Sequence, residues 1–396
     1  MSENANAAAA MPRDFGFGED EALVRDMARK LFADELPIEK LRQLVAGDYE
    51  ATYDRGERPG WDEGLWKQCV ELGWTGLAVP EEQGGAGLPL VGVAALVEEA
   101  GRAAFPSPLL STLCASYVLR AADTDAGTRV LGEIGAGRTA SLAIADEHGS
   151  WERFASDVRA EATADGGLRL SGAAYFVQDA FKVDAFVVLA TGERGTSLCL
   201  VDAGAAGLAI EQDHIHDLTR DQGTLLFADV EVPSTAVLTD TGADAVARAW
   251  PVLLVLTSAD LVGTGEWQLQ TTAEYAKTRT QFDRPIGFFQ AVKHPLSNAL
   301  VMIDRARSLV YHAACCYDHA DGETEQAARM AKSAASDAGR FMSDRSVQLH
   351  GGIGFTWECD VHIYFKRSMH TQALYGDGVD QRRRIADLLM GPIGSG

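Results

Sequence analysis

The hydrophobic period changes twice along this 396-residue chain, and that limits the fold more than any other feature. From about Glu19 to about Gly137 apolar residues recur at helical spacing. Ala22, Leu23, Met27, Leu31 and Phe32 form one such set, and Leu65, Trp66, Cys69, Val70 and Leu72 another. From about Thr139 to about Leu238 the period becomes that of strands. Examples are Leu168-Arg169-Leu170, Ala185-Phe186-Val187-Val188-Leu189 and Thr224-Leu225-Leu226-Phe227, with turns at Asp165-Gly166-Gly167 and Ser171-Gly172. From about Ala243 helical patterns return over Ala245 to Thr278, Phe289 to Ala320 and Glu323 to Leu349, with a last helix from about Val379. An α–β–α order ending in long helices predicts an α+β protein, a helical bundle with a β domain beside it. The expected boundaries are a disordered tail over 1–18, an N-terminal α-helical domain over 19–137, a middle β domain over 138–240 and a C-terminal helical bundle over 241–396.

Composition narrows the partners. The formal net charge is −22, and an acidic surface repels phosphate backbones, so nucleic acid is not an expected partner. An anionic substrate must then meet a local positive patch. The first dozen residues are Ala/Asn/Ser-rich, with neither a basic n-region nor a long apolar core, and read as a tail and not a signal peptide. No stretch approaches the ~20 apolar residues of a membrane span, and a cytoplasmic location is expected. The cysteines are Cys69, Cys114, Cys199, Cys315, Cys316 and Cys359, without a CxxC pair and mostly in apolar helical surroundings. Buried free thiols account for them better than disulfides or a metal site. Cys315 and Cys316 are expected on different sides of one helix.

Several segments carry more than periodicity. Leu65-Trp66-Lys67-Gln68 through Gly73-Trp74 leads into the turn-rich loop Val79-Pro80-Glu81-Glu82-Gln83-Gly84-Gly85-Ala86-Gly87-Leu88, followed by Glu98-Glu99-Ala100-Gly101-Arg102. Tyr275-Ala276-Lys277-Thr278-Arg279-Thr280-Gln281-Phe282-Asp283-Arg284-Pro285-Ile286 precedes Phe289-Gln290, and Gln348-Leu349-His350-Gly351-Gly352-Ile353-Gly354-Phe355 comes later. In order and at this spacing, over nearly the whole chain, they resemble the acyl-CoA dehydrogenase family. The resemblance implies an N-terminal helical domain, a middle β domain and a C-terminal four-helix bundle. It also implies FAD and oxidation of an acyl-CoA thioester to the 2,3-enoyl-CoA. There a carboxylate removes the α-proton while the β-hydrogen leaves as hydride to the flavin.

In that family each FAD lies between two subunits, so the two halves of the site can be read separately. The half offered to a neighbour is complete. Arg279 can neutralise pyrophosphate with a forked donor. Gln281 and Gln290 offer amide hydrogen bonds, and Phe282 and Phe289 offer apolar contact. Gln348 with Gly351 and Gly352 lets a dinucleotide approach the backbone. Taken alone, Arg279 reads as a solvated helix-end cation and Gly351-Gly352 as a helix-ending turn; the surrounding motif favours the flavin. The half that faces the chain's own isoalloxazine departs from the family pattern. Ala143-Ile144-Ala145-Asp146-Glu147-His148-Gly149-Ser150 stands where the family has a Thr-Glu-Pro-x-x-Gly-Ser-Asp-like loop. Tyr175-Phe176-Val177-Gln178-Asp179 stands where a strand ends in Ser or Thr. Gln178 can donate a hydrogen bond but supplies no hydroxyl, and Ser150 reads as a turn serine.

No carboxylate occupies either place where the family keeps its base. Counting from Gln348 puts Tyr375 at the usual position, before Gly376 and with Asp377 in place of Thr. A tyrosine with an ordinary pKa near ~10 is a poor base at neutral pH. Counting back from Arg279 puts Leu253 at the alternative position, about two helical turns from Asp244 and Asp260. Asp377 is the weak remaining candidate. It sits two residues late and one methylene short, in a turn ahead of the last helix, where a cap is the simpler reading.

Other residues are assigned blander roles. His294 and His350 read as packing histidines, Glu358 as a local cap or pair, and Arg382-Arg383-Arg384 as a solvated face. Trp250 and Trp267 read as core or interface residues. The Gly-Gly-Ile-Gly-Phe-Thr-Trp-Glu pattern with the later Gly-Asp and Arg-rich tail resembles a subgroup from actinobacterial steroid catabolism that works as two unlike subunits. The leading expectation is a base-less subunit of a heteromeric (α2β2) enzyme acting on a bulky acyl-CoA such as a steroid side-chain thioester. A homologous catalytic subunit would be its partner and electron-transferring flavoprotein the family's acceptor. The alternatives are an active homotetramer using Asp377 or another acid, and a non-redox acyl-CoA-binding protein.

Overall fold

The computed structural model describes residues 11–12, 14–46, 60–154, 156–193 and 195–391. Most of the expected tail, residues 1–10, lies outside the described residues. The helices are α1 (Glu19–Glu35), α2 (Ile38–Ala46), α3 (Glu63–Glu71), α4 (Leu90–Arg102), α5 (Leu109–Ala122), α6 (Asp125–Gly135), α7 (Gly242–Thr278), α8 (Gln290–His319), α9 (Asp321–His350), α10 (Val361–Ala373) and α11 (Gly378–Met390). The strands are β1 (Ala140–Ala143), β2 (Asp157–Ala162), β3 (Leu168–Gln178), β4 (Ala185–Gly192), β5 (Gly195–Asp202), β6 (Leu208–Gln212), β7 (Gln222–Val232), β8 (Val237–Thr239), β9 (Thr280–Gln281) and β10 (Arg284–Pro285). Helices, then a β sheet, then long helices follow one another along the chain, the α+β order that the change of period implies.

Two compact units form, and neither is continuous in sequence: one gathers residues 35–88 and 104–253, the other 1–34, 89–103 and 254–396. The first holds a mixed sheet in the order β6-β7-β3-β2-β4-β5-β8, with β1 parallel to β4. Strand β4 is buried from Ala185 to Ala190, so its apolar run is that of a central strand with both faces covered. Leu170, Val177, Phe186, Val188, Leu225 and Val230 interdigitate in the core. The β3–β7 pairing slips between Ala174 and Val177. There Phe176 takes a left-handed φ of 56°, the strained residue of a bulge that re-aims the strand.

The second unit is a helical bundle in which α8 and α9 pair along their lengths, with α4, α10 and α11 against them. Helices α4 and α7 cross at glycines. A Cβ on Gly263 would lie 1.8 Å from the Glu98 carbonyl oxygen, and one on Gly101 would lie 2.4 Å from that of Asp260. Only glycine permits that approach. Trp267 on α7 stacks on Tyr364 of α10, with centroids 3.6 Å apart. Ahead of α1, the Phe15 and Phe17 rings meet His312 and Tyr311 on α8.

Helix α7 contains an 18-residue window apolar enough to cross a membrane, which the sequence reading did not anticipate; 83% of that window is buried inside the protein. A helix apolar on every side is what a core position demands. All six cysteines are free thiols, and all but Cys359 are buried. Burial pushes the Cys69, Cys114 and Cys199 thiols up to about 12, which makes them inert packing groups.

Candidate active site

In the helical unit, α7 ends in a short hairpin. Ile286 N–H donates to the Arg279 carbonyl at 2.8 Å, and β9 pairs with β10 across the two-residue turn Phe282-Asp283. Both turn residues have left-handed φ, 52° and 59°. Asn-Gly is the usual occupant of such a turn, so a phenylalanine here is strained. The turn presents the Phe282 ring 86% exposed, edge-on to Phe289 at 5.9 Å. Gln281, Arg279 and Gln290 are exposed beside it. Among the described residues Arg279 has no hydrogen-bond or ion-pair partner for its guanidinium.

The three glycines after α9 serve different purposes. Gly351, at φ 67° and ψ −145°, occupies backbone space that only glycine reaches. Gly354 is buried, and a Cβ there would meet the Val347 carbonyl oxygen at 2.7 Å. Gly352 answers neither need: it is exposed, and a Cβ would meet nothing within 4 Å. Open backbone at Gly352 is what a dinucleotide needs for close approach. Gln348 is exposed one turn earlier.

These two segments are tied together by a pair that the sequence reading did not single out. Tyr275, four residues before Arg279, stacks on His350 with ring centroids 4.3 Å apart. His350 Nδ1–H donates to the Ser346 carbonyl at 2.8 Å, and burial lowers its pKa, so the ring is neutral. Arg279, Gln281, Phe282, Phe289, Gln348, Gly351 and Gly352 therefore lie around two joined helix ends. A forked, unpaired cation, an exposed aromatic ring and an open glycine backbone are the donor set that a dinucleotide such as FAD requires.

In the sheet unit, the segments expected at the isoalloxazine also converge. Tyr175 N–H donates to the Ala145 carbonyl at 3.2 Å, and Trp151 lies 6.0 Å from Phe176. The polar groups there are turned inward. Asp146 Oδ1 accepts from the backbone of His148 and Ser150. Gln178 is buried, and its amide donates to Gln222 Oε1 at 2.7 Å and to the Phe176 carbonyl at 3.0 Å.

The positions expected for a base are closed. Leu253 is 0% exposed and Tyr375 6%. Tyr375 has a left-handed φ of 61°, and its carbonyl accepts from Gln381 Nε2 at 3.0 Å. Gln381 Oε1 accepts in turn from Arg329, which pairs with Glu325. Asp377 is the N-cap of α11: its Oδ1 accepts from Val379 N–H and Asp380 N–H, both at 2.9 Å. Asp244 is exposed in the first turn of α7. Asp260 is buried and bound to Arg367 and Thr371. Beside this pair, Lys332 Nζ donates to the Thr371 carbonyl at 2.8 Å, and burial pushes its pKa down to about 7 against the pull of Asp260 and Asp377.

The remaining candidates take structural places. His294 and Glu358 are exposed. Trp250 is buried and edge-on to Phe154, and Trp267 stacks in the bundle as described. The arginine run is not a uniformly free face, since Arg382 pairs with Asp337 at 2.7 Å and Arg383 with Asp380.

Residues 18–138 match the description of the acyl-CoA dehydrogenase N-terminal domain and residues 252–390 that of the C-terminal domain. The acyl-CoA dehydrogenase IpdE2 of Mycobacterium tuberculosis is 31% identical over 369 residues, 93% of this chain and 96% of its own. The chain belongs to the acyl-CoA dehydrogenase family. Two solved structures extend the likeness. A Tcur3481-Tcur3483 steroid acyl-CoA dehydrogenase variant has a TM-score of 0.82 at 31% identity, covering 94% of this chain and 98% of that one. The ChsE4-ChsE5 complex from Mycobacterium tuberculosis has a TM-score of 0.83 at 27% identity, covering 96% and 100%. The fold is thus that of an acyl-CoA dehydrogenase, with an N-terminal helical domain, a middle sheet and a C-terminal helical domain, in an oxidoreductase family that uses FAD.

Proposed function

We propose that this chain is the base-less subunit of a heteromeric flavin-dependent acyl-CoA dehydrogenase that acts on a bulky acyl-CoA. One observation carries the reading. Tyr375 and Leu253 fill the base positions as buried residues, and the candidate that the sequence left, Asp377, spends a carboxylate oxygen on the α11 cap. A carboxylate oxygen bonded to two backbone donors is held at the cap and is not free to turn toward a substrate.

The exposed groups support the complementary half of the reading. Arg279 would pair with the pyrophosphate of FAD, Phe282 and Phe289 would pack against the cofactor, and Gln281, Gln290 and Gln348 would hydrogen-bond to it. Gly351 and Gly352 would admit it against the backbone. The chemistry FAD supplies when bound is acceptance of the β-hydrogen as hydride. The α-proton would go to a carboxylate of the homologous partner subunit, in an α2β2 assembly with the flavin between unlike chains. Two similar structures carry paired names, Tcur3481-Tcur3483 and ChsE4-ChsE5, and one is described as a steroid enzyme. A steroid side-chain thioester as substrate, electron-transferring flavoprotein as acceptor and a cytoplasmic location belong to the same proposal.

The test is the flavin content of the chain purified alone and co-purified with a homologous partner. Little flavin alone and about one per unlike pair is the expected result. A homotetramer with one flavin per chain, oxidising acyl-CoA unaided, would overturn the proposal.

A further inference from the structure

Most cysteines here are inert, but one has company. Cys316 lies one helical turn after His312 on α8, so both side chains face the same way. Its Sγ is 3.6 Å from His312 Nε2. Helix α8 ends at His319, and Glu323 follows in the first turn of α9, set by its N–H to the Ala320 carbonyl at 2.9 Å. One ligand atom from each of His312, Cys316 and Glu323 falls within 4.8 Å of the others. Cys316 is buried, His312 half-buried and Glu323 exposed. Cys315, its sequence neighbour, points elsewhere, with its Sγ 4.0 Å from Met11 Sδ.

We infer that His312, Cys316 and Glu323 form a three-ligand site for a zinc-class divalent cation, with solvent at the fourth position. Tetrahedral zinc with bonds of about 2.3 Å to sulfur and about 2.05 Å to nitrogen separates those two atoms by roughly 3.6 Å. The Sγ to Nε2 spacing is already that value. Imidazole, thiolate and carboxylate together suit a borderline cation, whereas magnesium and calcium prefer all-oxygen sites. The His312 ring is further fixed by its edge contact with Phe15, centroids 6.1 Å apart. An ion here would fasten the last turns of α8 to the first turn of α9, and its arrival would release the thiol proton to solvent. This inference departs, for Cys316 alone, from the sequence expectation that no cysteine serves a metal.

The experiment uses the full-length chain stripped of metal with a chelator. Cobalt(II) titration should give thiolate-to-cobalt charge-transfer absorption with tetrahedral d–d bands, and zinc should displace it. His312→Ala, Cys316→Ser and Glu323→Gln should each weaken zinc binding at least about tenfold, by analogy with the loss from removing even an outer ligand partner. Zinc should raise the Tm of the wild type and not of Cys316→Ser. Glu323→Gln, an exposed and nearly isosteric change, keeps the test meaningful if a core variant fails to fold. Absence of thiolate–cobalt absorption in the wild type, or equal zinc affinity in the wild type and Glu323→Gln, overturns the inference and leaves His312–Cys316 a weak hydrogen-bonded pair.

Discussion

Tyr275 lies against His350 at a ring spacing of 4.3 Å, so the end of α7 and the end of α9 are held together by one aromatic stack. The phenol hydroxyl adds little, reaching the His350 carbonyl only at 3.5 Å. Stacks of this kind contribute about 0.5–1.5 kcal/mol beyond their buried area. Tyr275→Ala should lower the Tm modestly and reduce flavin retained by the heteromeric complex, whereas Tyr275→Phe should match the wild type. Full flavin occupancy in Tyr275→Ala would show that the two segments need no such tie.

Among the described residues the Arg279 guanidinium is exposed and makes no internal hydrogen bond or ion pair. Arg279→Gln should therefore leave the Tm of the isolated chain unchanged. In the complex it should weaken flavin binding by about tenfold to a hundredfold, the range for a charge-assisted hydrogen bond. Arg279→Lys should recover only part, because a point charge does not fork. Fluorescence of released flavin on dilution measures both.

Asp377 offers a direct choice between cap and base. Asp377→Ala should cost about 1 kcal/mol through the lost cap, while Asp377→Asn retains the cap and the stability. Turnover by the complex should survive both changes. Turnover lost in Asp377→Asn with flavin still bound would assign Asp377 the role of base instead.

The pair Asp260–Arg367 is buried on both sides, at 1% and 2% exposure. Removing Arg367 takes this ion pair away from a buried carboxylate, so Arg367→Met should destabilise by about 3–5 kcal/mol. The double variant Asp260→Leu with Arg367→Met should regain much of that loss. Denaturant midpoints of the single and double variants form the cycle that reads the coupling.

Lys332 makes stability depend on alkaline pH. In the unfolded chain it keeps its proton up to its ordinary value of 10.5, but burial releases it near 7. Between those values unfolding takes up a proton, so stability rises with pH across the window. The burial penalty is complete below about 7 and absent above the unfolded value. Raising the pH from about 7 to about 9.5 should stabilise the wild type relative to Lys332→Met. A constant difference between the two would place the lysine's ionisation outside the window.

The long helices were legible because their stripes are apolar: α7, α8 and α9 run within a few residues of the expected Ala245–Thr278, Phe289–Ala320 and Glu323–Leu349. Helix α10 was not anticipated, and the reason is physical. Its buried positions include His362, Arg367, Ser368 and Thr371, so no apolar period marks the face that packs. The partner that makes this tolerable, Asp260, lies 107 positions away. Motif residues such as Arg279 and Gln348 could be named from the family resemblance. The Tyr275–His350 tie and the inward turn of Gln178 could not, since each depends on a contact made only in the folded chain.

The glycine crossing of α4 and α7 carries a lesson for anyone recombining this chain with its relatives. At Gly101 and Gly263 the two backbones leave no volume for a methyl group. The helices are thus inherited as a matched set. A chimera that takes one from a donor with a bulkier residue at either position must take the other as well, or the graft will be rejected at the crossing before any catalytic difference can be assayed.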